Sequence, residues 1–488
     1  MVSPRFASPA LLLLLASCSV GPDHVPPQIQ LPAKFGEGTA KPANASVTTT
    51  AWWRGFRDKK LDALVSEGIT QNLSIQQALE RINSAQAQVT VAGAGALPSL
   101  DIGGSHTVSG QLGKGNPRTG GADAGATNTS AGSASVSWVL DLFGQYRRAR
   151  EGARASLDAA YASADAAKLA FIQDLANSYI NARYYQERIA LSNGDLKSRR
   201  ETFDLTKFQL DAGAASRLDV VQAEGLVQQT QAEIPGLETS FRQQAHHIAT
   251  LLGKPASALM DELKRSGPQP IYRGRLEAGV PADLIRNRPD IRQAERNLAA
   301  ATAQIGVAEA QLYPTLTLSG SISPQYVRPV GPNFNLTPWS FGPSVTLPIL
   351  DGGRLRANVD IAKSDAKVQY LAWKQTVLSA VEEVENYISA VRRDARTVAS
   401  LRAQVKTTQE SLQLSTASYK DGASSLLDVL DAQRNVSTAQ ASLAAAIQQM
   451  ATDYVNLNIA IGGGYNPDGA PTIAPPTITP VAAKSKLN

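Results

Sequence analysis

Residues 210–224 read LDAGAASRLDVVQAE, and residues 419–433 read YKDGASSLLDVLDAQ. Each stretch closes a helix, turns at a Gly among small residues, and opens a new helix on acidic side chains. Gly adopts positive φ without strain, and Asp in a first turn complements the positive end of the helix dipole. Both copies therefore spell the same tight reversal. They stand 209 residues apart, a period that points to an internal duplication.

Moving outward from the turns, the two halves keep matching. Residues 72–100 form a helix that runs to a Pro, and 288–316 repeat it with an offset of 216. Ser/Thr/Gly-rich alternating segments follow at 97–112 and 131–143, mirrored by 312–324 and 338–350. Long helical stretches come next, 144–209 and 352–418. An offset of 208 there sets Gly144 on Gly352 and Tyr179 on Tyr387. Return helices 217–252 and 426–462 close the halves. The chain then divides into a signal peptide (1–17), an extended leader (18–50), a first repeat (51–253), a linker (254–283), a second repeat (284–463) and a flexible tail (464–488).

Period decides what the strands are. In 339–350, Trp339, Phe341, Val345, Leu347 and Ile349 share one face, while Ser340, Gly342, Ser344 and Thr346 share the other. Val136, Trp138, Leu140 and Leu142 oppose Ser135, Ser137 and Asp141 in the same way. Apolar residues on one face and small polar ones on the other fit a transmembrane β-barrel, and they equally fit a sheet lying on an ordinary core. The helices step by three and four: Val377, Val381, Val384, Ile388, Val391, Ala395, Val398, and again Leu443, Ile447, Met450, Tyr454, Leu457, Ile461. That spacing predicts coiled-coil packing, with a plain antiparallel bundle as the alternative. A 66-residue helix is about 100 Å long, close to the summed lengths of the return helix and the helix before the strands.

With 47 basic and 42 acidic residues, net charge +5 and 6% aromatics, the chain has no basic stripe of the kind that binds nucleic acid. No catalytic set assembles either. His246 and His247 are adjacent, so on a helix they diverge and make a poor metal pair. The Gly run 462–464 reads as a helix stop, and the Gly/Ala run at 93–95 lacks the strand context of a nucleotide site. The chain is expected not to be an enzyme and to carry no cofactor or metal. Its single Cys, Cys18, ends the run LLLLLASC, which is too short to span a bilayer and reads as a signal peptide. The pattern resembles the bacterial lipoprotein motif, which implies a diacylglycerol and an N-acyl chain on Cys18. Ser19 in place of Asp implies outer-membrane delivery.

Four strands are too few for a barrel, and open strand edges are not tolerated in lipid. Two copies would give eight strands and a filled interior; three give twelve and an open lumen. The expected fold is therefore a mixed, mostly α membrane protein. It is a homotrimer with a shared 12-stranded barrel, four strands per chain, continued by a helical coiled-coil barrel.

The stretch VPADLIRNRPDIRQAERNLAAATAQIGVAEAQLYPTLTLSGS (280–321), with WWRGFRDKKLDALV (52–65) and the twin turns, closely resembles TolC-like outer-membrane efflux proteins of the NodT-type lipoprotein branch. The resemblance covers about 18–465. It implies a periplasmic helical tunnel with an equatorial domain, closed at its tips. It also implies docking to a periplasmic adaptor and an inner-membrane transporter, commonly of the resistance–nodulation–division type. An exit duct for type I protein secretion and a coiled-coil lipoprotein without a conduit stand as alternatives.

On this reading Asp219, Asp428 and Asp431 ring the closed tip, where symmetry would crowd their carboxylates and favour weak cation binding at Asp428 and Asp431. Complementing the helix dipole from the first turn is the simpler role for the same residues. Tyr419 stands at the family's tip Tyr, but Ser424 stands where the family often has Arg, leaving Arg217 on the other tip as a substitute. Gly213 and Gly422 make the turns and would admit an adaptor hairpin.

Overall fold

The computed structural model describes residues 19–36, 51–110, 127–272, 281–329 and 332–465. The side chains of 284–286 lie outside that description, as do Cys18, the signal peptide and the tail beyond residue 465.

The helices repeat with equal lengths. After a 3-10 turn at Trp52–Phe56 come α1 (Lys59–Gln71) and α2 (Leu73–Ala94), then strands β1 (Ser99–Ser109) and β2 (Thr127–Leu140). Helix α3 (Gln145–Asp211, 67 residues) and α4 (Arg217–Leu251, 35 residues) complete the first half. Short helices α5 (Met260–Leu263) and α6 (Pro281–Asn287) join it to α7 (Pro289–Ala310). The second half continues through β3 (Thr315–Ile322), β4 (Gln325–Arg328), β5 (Phe334–Leu336) and β6 (Trp339–Thr346). It ends with α8 (Arg354–Lys420, 67 residues) and α9 (Leu426–Ala460, 35 residues).

These bounds correct one alignment. The long helices begin 209 residues apart and the tip glycines are also 209 apart, so an offset of 208 has no place between them. Gly144 (φ 82°) matches Gly353 (φ 87°) rather than Gly352, and Tyr179 does not match Tyr387. The 216 offset for the preceding helices holds, since α2 and α7 both have 22 residues.

The sheet is antiparallel, and it resolves a second expectation. Six strands are present among the described residues, not four. Yet β2 pairs β3 through Ala134↔Ile322 and β4 through Ala131↔Gln325, three residues back on one strand for three forward on the other. The pairings Ile322↔Trp339 and Gln325↔Leu336 repeat that step. So β3–β4 is one long strand broken at Ser323–Pro324, and β5–β6 is another broken at Thr337–Pro338. Proline has no N–H for the ladder. Across the breaks Gly132 still donates to the Pro324 carbonyl and Ser323 to that of Pro338, both at 2.9 Å. The four-strand reading holds once the breaks are counted.

The chain forms two compact units. The first contains the described parts of Met1–Gln28, Asn83–Ala159 and Ala294–Trp373, including the whole sheet. The second contains those of Ile29–Ile82, Ala160–Gln293 and Lys374–Asn488. In the first unit the apolar sheet face is uncovered: Ile102 is 80%, Trp339 76% and Phe341 68% exposed. A sheet resting on its own core would bury them, so that alternative fails. From Leu316 to Ile322 the outward apolar band runs about 20 Å along the strand, most of the length that crosses a barrel's lipid belt.

The second unit holds the main core. Trp52, Trp53 and Phe56 from the 3-10 turn, with Leu61, Leu64 and Val65 of α1, pack on Phe171, Ile172 and Leu175 of α3, Ile248 of α4 and Tyr454 of α9. Asp58 caps α1 with one oxygen, accepting from Lys60 N at 2.8 Å, and accepts the Tyr179 hydroxyl with the other at 2.7 Å. Of the expected α8 seam, Val377, Val384, Ile388 and Val398 are buried. Ala395 is exposed; beside it Asp394 is half-buried. On α9 the lower seam, Tyr454, Leu457 and Ile461, is buried, and Leu443, Ile447 and Met450 are half-buried. No helix among the described residues is long and apolar enough to cross a membrane.

Candidate functional site

The twin turns are built alike down to single hydrogen bonds. At the end of α3, Gly213 N donates to Leu210 O at 2.9 Å and Ala214 N to Gln209 O at 2.7 Å. At the end of α8, Gly422 N donates to Tyr419 O at 3.1 Å and Ala423 N to Ser418 O at 2.8 Å. This is the Schellman arrangement, and it needs its Gly in the left-handed region; both have φ 75°. Three residues after each Gly, Ser216 and Ser425 start the return helices as N-caps.

Asp219 and Asp428 complete reciprocal capping boxes there. Ser216 N donates to Asp219 Oδ2 at 2.8 Å while Asp219 N donates to Ser216 Oγ at 3.2 Å. Ser425 N donates to Asp428 Oδ2 at 3.0 Å, and Asp428 N to Ser425 Oγ at 3.4 Å. Both carboxylates therefore sit in the first turn, where they complement the helix dipole, and the structure adds a capping role in both turns. Asp431 accepts from Arg434, one turn on, at 2.8 Å. Among the described residues no group of three or more His, Cys, Asp or Glu gathers as a metal site.

Tyr419 is 8% exposed and packs with Ala223 of α4 and with Leu426, Val429 and Leu430 of α9. Its ring thus joins the two hairpins of one chain just above the turns. Arg217 is exposed at the first position of α4, and Ser424 places its hydroxyl toward the Ser415 carbonyl at 3.5 Å.

Above the turns lies a polar seam that the sequence does not announce. Buried Arg199 of α3 donates to Thr230 Oγ1 at 2.5 Å and to Leu226 O at 3.1 Å, tying α3 to α4. Gln433 of α9 donates to Thr202 Oγ1 at 2.8 Å, and Ser437 to Asp195 at 2.6 Å, tying α9 to α3. Asp195, Arg199, Gln433 and Ser437 line a cleft of about 490 Å³ between α3, α8 and α9. Isolated Arg and Gln on helices look like solvent-facing positions, so no sequence signal marks them.

Cys18 lies outside the described residues, but the leader after it is held firmly. Val20 N donates to Phe143 O at 3.2 Å. Buried Arg148, in the first turn of α3, donates to Val20 O at 3.0 Å, Gly21 O at 3.0 Å and Asp23 at 2.8 Å, and pairs with Glu151 at 2.7 Å. Burial alone would lower the guanidinium's pKa; the bonds to Asp23 and Glu151 more than reverse this and keep it charged. Gly21 and Gly306 touch backbone to backbone, where a Cβ on Gly21 would lie 2.4 Å from Gly306 Cα. His24 then meets Glu295 at 2.6 Å. Burial would raise the Glu295 pKa, and bonds from Arg296 and His24 lower it instead.

Comparison with known proteins agrees with this geometry. The family model "Outer membrane efflux protein" matches residues 64–254 and 280–463, one match for each repeat. Nodulation protein T of Rhizobium leguminosarum bv. viciae is 58% identical over 488 residues, 100% of this chain and 98% of that protein. Outer membrane protein OprJ of Pseudomonas aeruginosa is 31% identical over 470 residues, covering 96% of this chain and 97% of that one. The solved structure of the outer-membrane channel OprN shares the fold with a TM-score of 0.80 at 31% identity, over 92% of this chain and 99% of that chain. A duplicated hairpin chain with an edge-open, apolar-faced sheet, matched in both halves, belongs to the outer membrane efflux protein family.

Proposed function

We propose that three copies of the chain form one passive conduit through the outer membrane, closed at its helical tips until a periplasmic adaptor engages them. The observation that carries the reading is the open sheet. Among the described residues β1 pairs only with β2, and β6 only with β3, so each chain offers one free strand edge at either side. Unpaired backbone groups in hydrocarbon cost several kcal/mol each. Joining β1 of one copy to β6 of the next satisfies them and closes twelve strands.

The tip carboxylates Asp219, Asp428 and Asp431, with Tyr419 and Arg217, form the gate in this proposal. Gly213 and Gly422 leave the turns bare enough for an adaptor hairpin, since a Cβ at either would meet nothing within 4 Å. An inner-membrane transporter of the resistance–nodulation–division type supplies the drive, and acyl chains on Cys18 anchor the leader in the outer membrane. The docked leader supports that anchor, because Arg148 holds the residues directly after Cys18 against the start of α3.

Current through the purified protein in planar bilayers, with its mass in detergent, tests the reading. A trimer that conducts is expected. A monomer without conductance would overturn it.

A further inference from the structure

We infer that the far end of the sheet forms an apolar collar inside the conduit, a transit site for apolar organic solutes built by Val327, Phe334 and Leu336. The inference rests on the conduit reading above and on one register.

Because the pairing step does not change at Pro324 or Pro338, side-chain alternation runs unbroken from β3 into β4 and from β6 into β5. Contacts fix which face is which. Ser321 and Ser340 hydroxyls meet at 3.0 Å on the polar face. A Cβ on Gly320 would touch Phe341 and Val136 on the apolar face. Counting on past the prolines, Val327, Phe334 and Leu336 fall on the polar, lumen side. Tyr326, Arg328 and Asn335 fall on the outer side, where Arg328 lies over the Tyr326 ring at 5.0 Å.

On β4 and β5 the polarity of the two faces has therefore exchanged, except that Gln325 shares the lumen side with Leu336. On the outer side the exchange marks the top of the lipid belt. On the inner side it has no such cause, for Ser and Thr predominate on the lumen face through the rest of the sheet. Phe334 and Leu336 remain 52% and 54% exposed.

Twelve strands about 4.8 Å apart, tilted near 40°, enclose a backbone radius of about 12 Å. Side chains of this size narrow that opening by roughly half without sealing it. Nine apolar groups around a throat of that width attract an apolar solute and repel hydrated ions.

Bilayer recordings with tetramethylammonium or tetrapentylammonium added on the collar side test the site. Both carry one positive charge and differ in apolar surface. The wild type is expected to be blocked by the tetrapentyl ion at a concentration at least tenfold lower. The double variant Phe334→Ser/Leu336→Ser should lose that preference, as in smaller measure should the near-isosteric Val327→Thr, while Asn335→Ser on the opposite face keeps it. Equal block by both ions, or a preference that survives the inner-face variants, overturns the collar while leaving the conduit standing. A wild type without any current removes both.

Discussion

Asn72 and Arg288 do the same work in the two repeats with different chemistry. Asn72 Nδ2 donates to the carbonyl of Leu251, the last residue of α4, at 2.8 Å. Arg288 Nη1 donates to the carbonyl of Ala460, the last residue of α9, at 3.0 Å. Each residue immediately precedes the 22-residue helix of its half, so each joins a return helix end to end with the helix that leads to the strands. Asn72 also caps its own helix, accepting from Ile75 N at 3.0 Å. Arg288 instead holds Asp290 and Glu383 at 2.7 and 2.6 Å. Burial would lower its pKa, and these two carboxylates raise it.

The joints should differ in cost when cut. Asn72→Ala removes one buried bond and one cap, a loss of about 1–2 kcal/mol. Arg288→Ala leaves a helix end and two carboxylates without their partner, at about 3 kcal/mol. Thermal unfolding followed by helical circular dichroism should rank Arg288→Ala below Asn72→Ala. The reverse order would mean the second joint is redundant.

Capping and gating at the tips can be separated. Ser216→Ala with Ser425→Ala removes the hydroxyl half of each box, about 1 kcal/mol per helix, and leaves every charge in place. Asp219→Asn with Asp428→Asn removes the charges and retains side-chain oxygens. If the carboxylates gate the conduit, resting conductance rises in the Asn pair and cation block weakens, with little change in the Ser pair. Matching rises in both pairs would assign the effect to frayed helix starts.

The leader should detach when its clamp is removed. In Arg148→Ala, and independently in Gly306→Val, hydrogen exchange across residues 19–24 is expected to speed up at least tenfold while the α3 amides keep their protection. Unchanged exchange would show that the remaining contacts hold the segment without Arg148.

A paired acid on the second unit's seam sets a pH response. Asp394 of α8 is pushed up to about 6, first by burial and then by its bond to Asp453 of α9. Asp453 is 7% exposed and accepts from Gln449 at 2.9 Å; Tyr387 and Glu383 lie near the same seam. The folded chain thus binds this proton more tightly than the unfolded one, whose carboxyl titrates near 4. The resulting stability is complete below about pH 4 and is lost as pH rises through 6. Moving from pH 7 to pH 5 should add on the order of 1 kcal/mol of stability from this group and so raise the melting temperature, and Asp394→Asn should flatten the response.

Much of this was legible in the residues. Gly213 and Gly422, each followed by an acidic helix start, mark two tight turns, and turns are local; the Ser216 and Ser425 caps emerge only in the structure. The lipid face showed because alternation needs only one strand to be seen. The breaks at Pro324 and Pro338 did not, since three- and four-residue strands between prolines look like loop until a partner fixes their register. Tyr179 and Tyr387 suggest an offset of 208, whereas helix length sets it at 209. Arg148, Asn72 and Arg288 act on residues more than 120 positions away, and a single sequence does not disclose such partners.

Equal arms have an evolutionary corollary. Hairpins of 67 and 35 residues occur twice in one chain, so both feet reach the same depth although few of their letters agree. Point substitutions can accumulate in either foot alone. A deletion of one heptad cannot, for it would shorten three of six legs and leave the ring standing unevenly on whatever it meets.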